Sequence, residues 1–168
     1  MIERWHSGEG RDSRAVYSGC GGYRYVLTRR WGAGAALVWV MLNPSTATEA
    51  ANDPTIERVE RRTRMLGYDA LSVVNLFAWR ATRPADLARA ADPVGPQNDA
   101  MILEVVAEAG AVLCAWGVHG RLLGRDLAVR AMMAGCGRPL LHLGLTAGGA
   151  PRHPLYVAYA RAPEEWRP

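Results

Sequence analysis

Two polar loops follow apolar stretches that have the composition of buried strands. Ala35–Leu42 leads into Asn43-Pro44-Ser45, and Leu140–Leu145 leads through a glycine-rich turn into Arg152-His153-Pro154. An asparagine amide both donates and accepts hydrogen bonds, and an imidazole can donate, accept or carry a proton. Ligands of open α/β sheets bind beyond the carboxyl ends of the strands. We therefore expect the Asn-Pro loop and the His-Pro loop to surround one binding site.

Two further strand ends carry polar groups. Asn75 ends the apolar stretch Ala70–Asn75, and Gly117-Val118-His119 follows Trp116, which we expect at the rim of the pocket. The sequence lacks a cluster of metal-ligating residues, a phosphate-binding glycine loop and a G-x-S-x-G nucleophile elbow. We therefore expect no metal. A hydrolase or acyl-transfer enzyme that uses Ser45 with His153 stays open as a minor alternative.

The elements that must position these groups alternate between strand and helix. Core strands are predicted at Ala35–Leu42, Ala70–Asn75, Ala111–Trp116 and Leu140–Leu145, and helices at 53–67, 98–109 and 121–134. This alternation favours right-handed crossovers and helices on both faces of the sheet. The predicted fold class is α/β, a three-layer α/β/α protein with a central, mostly parallel four-stranded sheet. Tyr23–Thr28 alternates in polarity and is expected to add an N-terminal edge strand.

The length of 168 residues predicts a single domain over 1–168. Residues 1–22 are polar and glycine-rich and are interpreted as a loose segment, and 23–160 are the expected α/β core. No apolar stretch is long enough to span a bilayer, and the N-terminus lacks the pattern of a signal peptide. We therefore expect a cytoplasmic protein without a membrane partner. The sequence does not indicate an oligomeric state.

Arginine supplies every basic side chain among the 20 Lys and Arg residues, and the formal net charge is +4. Because the guanidinium group is a bidentate phosphate ligand, this composition suits nucleic-acid contact. Genomic base composition explains the same bias, and both explanations stay open. Four arginines, Arg58, Arg61, Arg62 and Arg64, share one side of the helix that Asp53-Pro54 is predicted to cap, and we interpret them as a solvated face.

The order of the polar loops resembles that of the uracil-DNA glycosylase superfamily, especially its mismatch-specific branch. Val40-Met41-Leu42-Asn43-Pro44-Ser45 is similar to a Gly-x-Asn-Pro-Gly loop, although Met41 and Ser45 replace glycines. Val73–Phe77 with Arg80–Leu87 is similar to the second motif, and His153-Pro154-Leu155-Tyr156 to the last. The resemblance spans 35–156. The segments Leu-Asn-Pro-Ser-Thr-Ala and His-Pro-Leu-Tyr also resemble an uncharacterised bacterial and phage family of short proteins.

This resemblance implies a uracil-DNA-glycosylase-like fold and hydrolysis of the N-glycosidic bond of a pyrimidine or modified base. Such an enzyme needs neither a metal nor a cofactor, and its partner is a nucleic acid or nucleotide, with DNA favoured. The alternative is a non-catalytic module on the same fold that binds a nucleotide, a modified base or DNA.

The resemblance also assigns roles to individual residues. Asn43 would orient the attacking water, and His153 would stabilise the departing base. Asn75 would pair with the edge of the base and Phe77 would stack on it, in a pocket completed by Pro44 and Ser45. Arg83 and Arg152 would hold flanking phosphates.

Overall fold

Eight strands and four α-helices are formed by residues 1–167, which the computed structural model describes, with Pro84 described by its backbone alone. The strands are β1 (Ile2–Gly8), β2 (Arg11–Tyr17), β3 (Arg24–Arg30), β4 (Ala36–Met41), β5 (Ala70–Asn75), β6 (Ala111–Cys114), β7 (Leu140–His142) and β8 (Glu164–Glu165). The helices are α1 (Pro54–Met65), α2 (Pro84–Arg89), α3 (Asn98–Ala107) and α4 (Arg125–Met133), with 3-10 turns at Val118–Gly124 and Pro154–Tyr156. Within these residues, no helix is both long and apolar enough to cross a membrane.

All eight strands belong to one mixed sheet in the order β1-β2-β3-β5-β4-β6-β7-β8. The pairs β4–β5, β4–β6 and β6–β7 are parallel, and the other four pairs are antiparallel. The predicted fold class, a central and mostly parallel four-stranded sheet of the uracil-DNA-glycosylase type, is therefore wrong. The sheet has eight strands where four core strands and one N-terminal edge strand were expected, and antiparallel pairs outnumber parallel ones by four to three.

The N-terminal hairpin explains most of this difference. Residues 1–22 are not loose, because β1 and β2 pair across a two-residue turn at Glu9 and Gly10. Both turn residues have positive φ, 54° and 70°, as in a type I′ hairpin turn. Glutamate is an unusual residue in that conformation, and β1 is exposed on both faces, so neither a turn signal nor an alternating pattern marks the hairpin. The predicted edge strand, here β3, consequently lies between β2 and β5.

Helices cover both faces of the sheet, and each face has its own hydrophobic cluster. Ile56 and Val59 of α1 pack on one face, against a cluster that includes Trp39. The helices α3 and α4 cover the other face, with Ile102 and Val129 among the packed residues. The sheet therefore holds the loops at its carboxyl edge between two independently packed layers.

The arginine side of α1 is solvated only in part, because Arg61 and Arg64 are exposed whereas Arg58 and Arg62 bind groups within the chain. Asp53 caps the helix as predicted, accepting a hydrogen bond from Ile56 N at 2.9 Å. Arg62, however, is 2% exposed and donates to the carbonyls of four residues of the C-terminal segment, Val157, Ala158, Tyr159 and Arg161. Arg58 donates to the Pro154 and Val157 carbonyls. These arginines anchor the segment that follows the His-Pro loop, and that segment forms no strand.

Candidate functional site

A cavity of about 650 Å³ opens at the carboxyl ends of β4, β5 and β6. Asn43 and Ser45 line it from the loop after β4, Asn75 from the end of β5, and Arg152 and His153 from the His-Pro loop. The structure therefore brings five of the eight predicted site residues to one cavity. Its volume falls in the range of small-molecule sites, roughly 300–1,000 Å³.

Backbone hydrogen bonds between the strand exits fix the walls of this cavity. Leu76 N donates to Met41 O at 2.8 Å, and Ala81 N donates to Pro44 O at 3.0 Å. On the opposite side, Gly117 N donates to Pro151 O at 2.8 Å, which ties the loop after β6 to the His-Pro loop. Gly117 has a φ of 72°, a conformation that favours glycine. The loops thus form one continuous rim.

Asn43 is committed to the structure of its own loop. Its Nδ2 donates to Pro44 O at 3.0 Å and to Ala81 O at 2.6 Å, so both amide hydrogens are engaged. Its Oδ1 accepts no hydrogen bond from the described residues. The Oδ1 of Asn43 can therefore accept a hydrogen bond from a ligand or a water. Its two amide hydrogens instead hold the loop in its conformation.

Asn75 is in the opposite situation. The residue is 2% exposed and lines the cavity, yet its amide makes no hydrogen bond within residues 1–167. The amide atoms are not among the fully enclosed polar atoms, so they face the cavity. The backbone carbonyl of Asn75 is satisfied separately, by Asn98 Nδ2 at 3.0 Å. A donor and an acceptor are thus both free at the wall of the cavity, where a hydrogen-bonding ligand would satisfy them.

Asp53 is a site residue that the sequence reasoning used only as a helix cap. Its Oδ1 accepts from Ile56 N at 2.9 Å and its Oδ2 from Ala47 N at 3.2 Å, and the residue lines the cavity. Each carboxylate oxygen keeps a free lone pair after these bonds. The cap position was visible in the sequence, but its proximity to the cavity depends on how α1 packs.

The surroundings of His153 favour the neutral form of its imidazole. Burial lowers its pKa, and the negative charge of Asp53 opposes that effect only in part. Its Nδ1 accepts a hydrogen bond from Leu155 N at 3.4 Å. The ring proton of the neutral form therefore resides on Nε2, which makes Nε2–H a hydrogen-bond donor.

The pH dependence of the stability of the protein should reveal the lowered pKa of the half-buried His153 imidazole. Since the folded pKa of His153 lies below its ordinary value of 6.5, the unfolded chain binds the proton more readily. Its contribution to stability is present above that ordinary pKa and is lost as the pH falls through the lowered one. We expect the Tm of the wild type to fall more than that of His153→Gln between about pH 7 and about pH 5. Parallel Tm profiles for the two proteins would contradict this prediction.

Arg24, at the start of β3, also lines the cavity and was not predicted. It is 2% exposed, and burial lowers its pKa to about 10. Its Nη1 donates to Ala47 O. The alternating pattern around Arg24 indicates a strand, but the burial of its side chain depends on segments distant in sequence, among them the loop that contains Ala47.

Three predicted site residues do not line the cavity. Phe77 is 0% exposed within the hydrophobic cluster under α3 and α4, so it cannot stack on a ligand there. Pro44 is buried, and its carbonyl serves as the acceptor for Ala81 N. Arg83 is exposed and forms an ion pair with Asp86 at 3.0 Å. The aromatic side chains at the cavity are instead Trp116, which is only 1% exposed, and Tyr156, which is 82% exposed.

Comparison with known proteins adds one family. A family model described as "Protein of unknown function (DUF1643)" matches residues 24–155. The chain belongs to this DUF1643 family. No curated protein and no solved structure matches the chain. The DUF1643 range begins at Arg24 and ends at Leu155, so it contains every residue of the cavity lining except Tyr156.

The DUF1643 range leaves out the β1–β2 hairpin and β8, the two antiparallel additions at the ends of the sheet. It therefore coincides with the part of the chain that builds the cavity. Over residues 1–167, no group of three or more His, Cys, Asp or Glu side chains could hold a metal ion.

Proposed function

We propose that this DUF1643 protein hydrolyses the N-glycosidic bond of a pyrimidine or modified base, in DNA or in a nucleotide, without a metal. The observation that carries the proposal is the Asn75 amide, which is almost buried, faces the cavity and has no partner in the described chain. The edge of a pyrimidine presents a donor and an acceptor side by side, which is what a free primary amide complements.

The chemistry needs a positioned water and a stabilised leaving group. In the proposed step a water oxygen bonds to C1′ of the sugar while the bond from C1′ to the base nitrogen breaks, and the base takes the bonding electrons. Asp53 accepts the proton of the water and offsets the positive charge that develops on the sugar. Nε2–H of His153 donates to the base as negative charge develops on it. The base is then reprotonated by solvent.

This assignment moves part of the catalytic work from the predicted site residues to Asp53, which was expected only to cap α1. Because both amide hydrogens of Asn43 are engaged by carbonyls, we assign Asn43 to holding the loop and offering its Oδ1 to the water. Asp53 supplies the charge that an asparagine lacks. The stacking role proposed for Phe77 passes to Tyr156, which is 82% exposed and lines the cavity.

DNA is the favoured partner within this proposal, and the cytoplasm the expected location. Exposed Arg152 lines the cavity beside exposed Tyr156, a combination suited to a phosphate and an unstacked base. The excess of arginine residues is weak support for DNA contact, because several of their side chains bind groups within the chain. Arg29, Arg58 and Arg62 are bonded to groups within the chain.

The activity is tested with single- and double-stranded oligonucleotides that carry uracil, thymine mismatches or 5-substituted uracils, followed by alkali. We expect alkali-sensitive breaks with the wild type and about 100-fold slower release with Asp53→Asn, the scale of general-base catalysis. Asp126→Asn is the matched control, since Asp126 lies in the first turn of α4 and outside this cavity.

Binding without any abasic product on these substrates would reject the hydrolase and favour the non-catalytic module. Product formation that is equally fast with Asp53→Asn would reject the role of Asp53. Labelling by a serine-reactive phosphonate that is lost in Ser45→Ala would instead support the hydrolase or acyl-transfer alternative.

A further inference from the structure

Arg24 is a buried cation with unused hydrogen-bonding capacity. Its Nη1 donates to Ala47 O, and its Nε is fully enclosed without a partner. Its Nη2 has no hydrogen-bond partner among the described residues and is not enclosed, so it reaches the cavity that Arg24 lines. Within residues 1–167, no carboxylate forms an ion pair with this guanidinium.

Arg29, on the same strand, is an equally buried arginine with a structural role. It is 0% exposed, and its guanidinium donates to Asn52 Oδ1 at 3.1 and 3.2 Å and to the backbone carbonyls of Thr28, Thr48 and Ala51. It does not line the cavity. Burial of a charge without such partners destabilises the folded protein. The free hydrogen-bond donors of Arg24 are therefore better explained by ligand binding than by a structural role.

The first turn of α1 faces the same space. Thr55 and Ile56 line the cavity, and the N-terminus of this 12-residue helix carries partial positive charge. Asp53 is the negative group here, and its charge offsets part of the charge of Arg24. The free Nη2 of Arg24 and the helix terminus remain as the groups that an oxyanion would contact.

We propose that Arg24 and the first turn of α1 form a subsite for a terminal phosphate monoester. A phosphate inside a DNA strand is joined to sugar on both sides, which hinders its approach to a guanidinium that is 2% exposed. A phosphate at a chain end or on a free nucleotide has three free oxygens and can enter. The substrate class is then a nucleoside monophosphate or a 5′-phosphorylated strand end. The identity of the rest of the ligand rests on the proposed function.

Titration calorimetry with paired ligands tests the subsite. The ligands are deoxyuridine and its 5′-monophosphate, and a short oligonucleotide with a 5′-hydroxyl or a 5′-phosphate. In the wild type we expect the phosphate to raise affinity about 10- to 100-fold in at least one pair, the scale of a charge-assisted contact. The pair that responds identifies the source of the phosphate.

Substitutions of Arg24 test whether the gain in affinity from the phosphate depends on this side chain. In Arg24→Met the gain should fall below about 3-fold, and Arg24→Lys should keep part of it, because a point charge replaces the planar fork. Arg167→Gln removes one positive charge from an exposed side chain outside the cavity and should keep the full gain. Since Arg24 makes a single hydrogen bond, Arg24→Met should stay folded, and Arg24→Lys tests the same point if it does not.

Inorganic phosphate separates this subsite from the proposed reaction. If it binds the wild type but not Arg24→Met while no nucleoside or nucleotide binds, the subsite stands and the proposed function fails. If nucleosides bind as tightly as their monophosphates, or the gain persists in Arg24→Met, the subsite is overturned and the proposed function is unaffected.

Discussion

Replacing Asn75 by leucine should abolish ligand recognition without destabilising the protein. The Asn75 amide has no hydrogen-bond partner in the described chain, so Asn75→Leu removes no internal hydrogen bond. A base that loses two hydrogen bonds should bind about 100-fold more weakly, at about 1.5 kcal/mol for each bond. Release of the base, measured as alkali-sensitive breaks, should fall by at least the same factor. The Tm should stay equal to that of the wild type or rise.

Asn98→Leu is the matched control, since Asn98 is also a buried asparagine near the end of β5. Its Nδ2 donates to Asn75 O at 3.0 Å and to Leu76 O at 3.1 Å. Loss of these bonds should lower the free energy of unfolding by about 2 kcal/mol, and the Tm by about 4–8 °C. If Asn75→Leu lowers the Tm as much as Asn98→Leu does, the Asn75 amide is structural, and the observation that carries the proposed function is lost.

Arg62→Met should cause the larger loss of stability. Arg62 joins α1 to four carbonyls of residues 157–161, the closest at 2.8 Å, and each carbonyl loses this partner in the variant. Burial and the neighbouring Arg58 lower the pKa of this guanidinium, which is nevertheless held by its acceptors. We expect the free energy of unfolding to fall by about 3 kcal/mol and the Tm by about 6–12 °C.

Arg61→Met provides the comparison at the next position. Arg61 is exposed, and its guanidinium contacts the Tyr159 ring at 5.0 Å without a hydrogen bond to the described residues. Its loss should change the free energy of unfolding by less than about 1 kcal/mol. Hydrogen exchange should show faster exchange of residues 154–161 in Arg62→Met only. Equal effects of the two variants would mean that the carbonyl contacts of Arg62 do not stabilise this segment.

Part of the candidate site could be predicted from the sequence, because its polar residues lie at the ends of predicted strands. Asn43, Asn75 and His153 each follow an apolar segment, and the parallel pairing of β4 with β5 and β6 brings the first two exits together. The N-cap at Asp53 was readable from the Asp-Pro dipeptide. These features depend on a few neighbouring residues, which is why the sequence contains them.

Phe77 and Arg24 show where such reasoning fails. Phe77 follows Asn75 by two residues, but its side chain packs into the cluster under α3 and α4. Arg24 looks like an exposed position of an edge strand, but β3 is an interior strand and the Arg24 side chain is buried against the loop that contains Ala47. The side of the sheet that a residue faces depends on register and on which elements pack there, and neither is encoded within a short window.

The sequence by itself determined which polar groups end the strands, including the Asn-Pro and His-Pro loops and the capped start of α1. The tertiary structure alone decided that these loops enclose one cavity, that the Asn43 amide is consumed by carbonyls while the Asn75 amide is left free, and that Arg24 is buried among them. The physical reason is that hydrogen-bond saturation and burial are properties of neighbours in space, and these neighbours come from segments far apart in the chain.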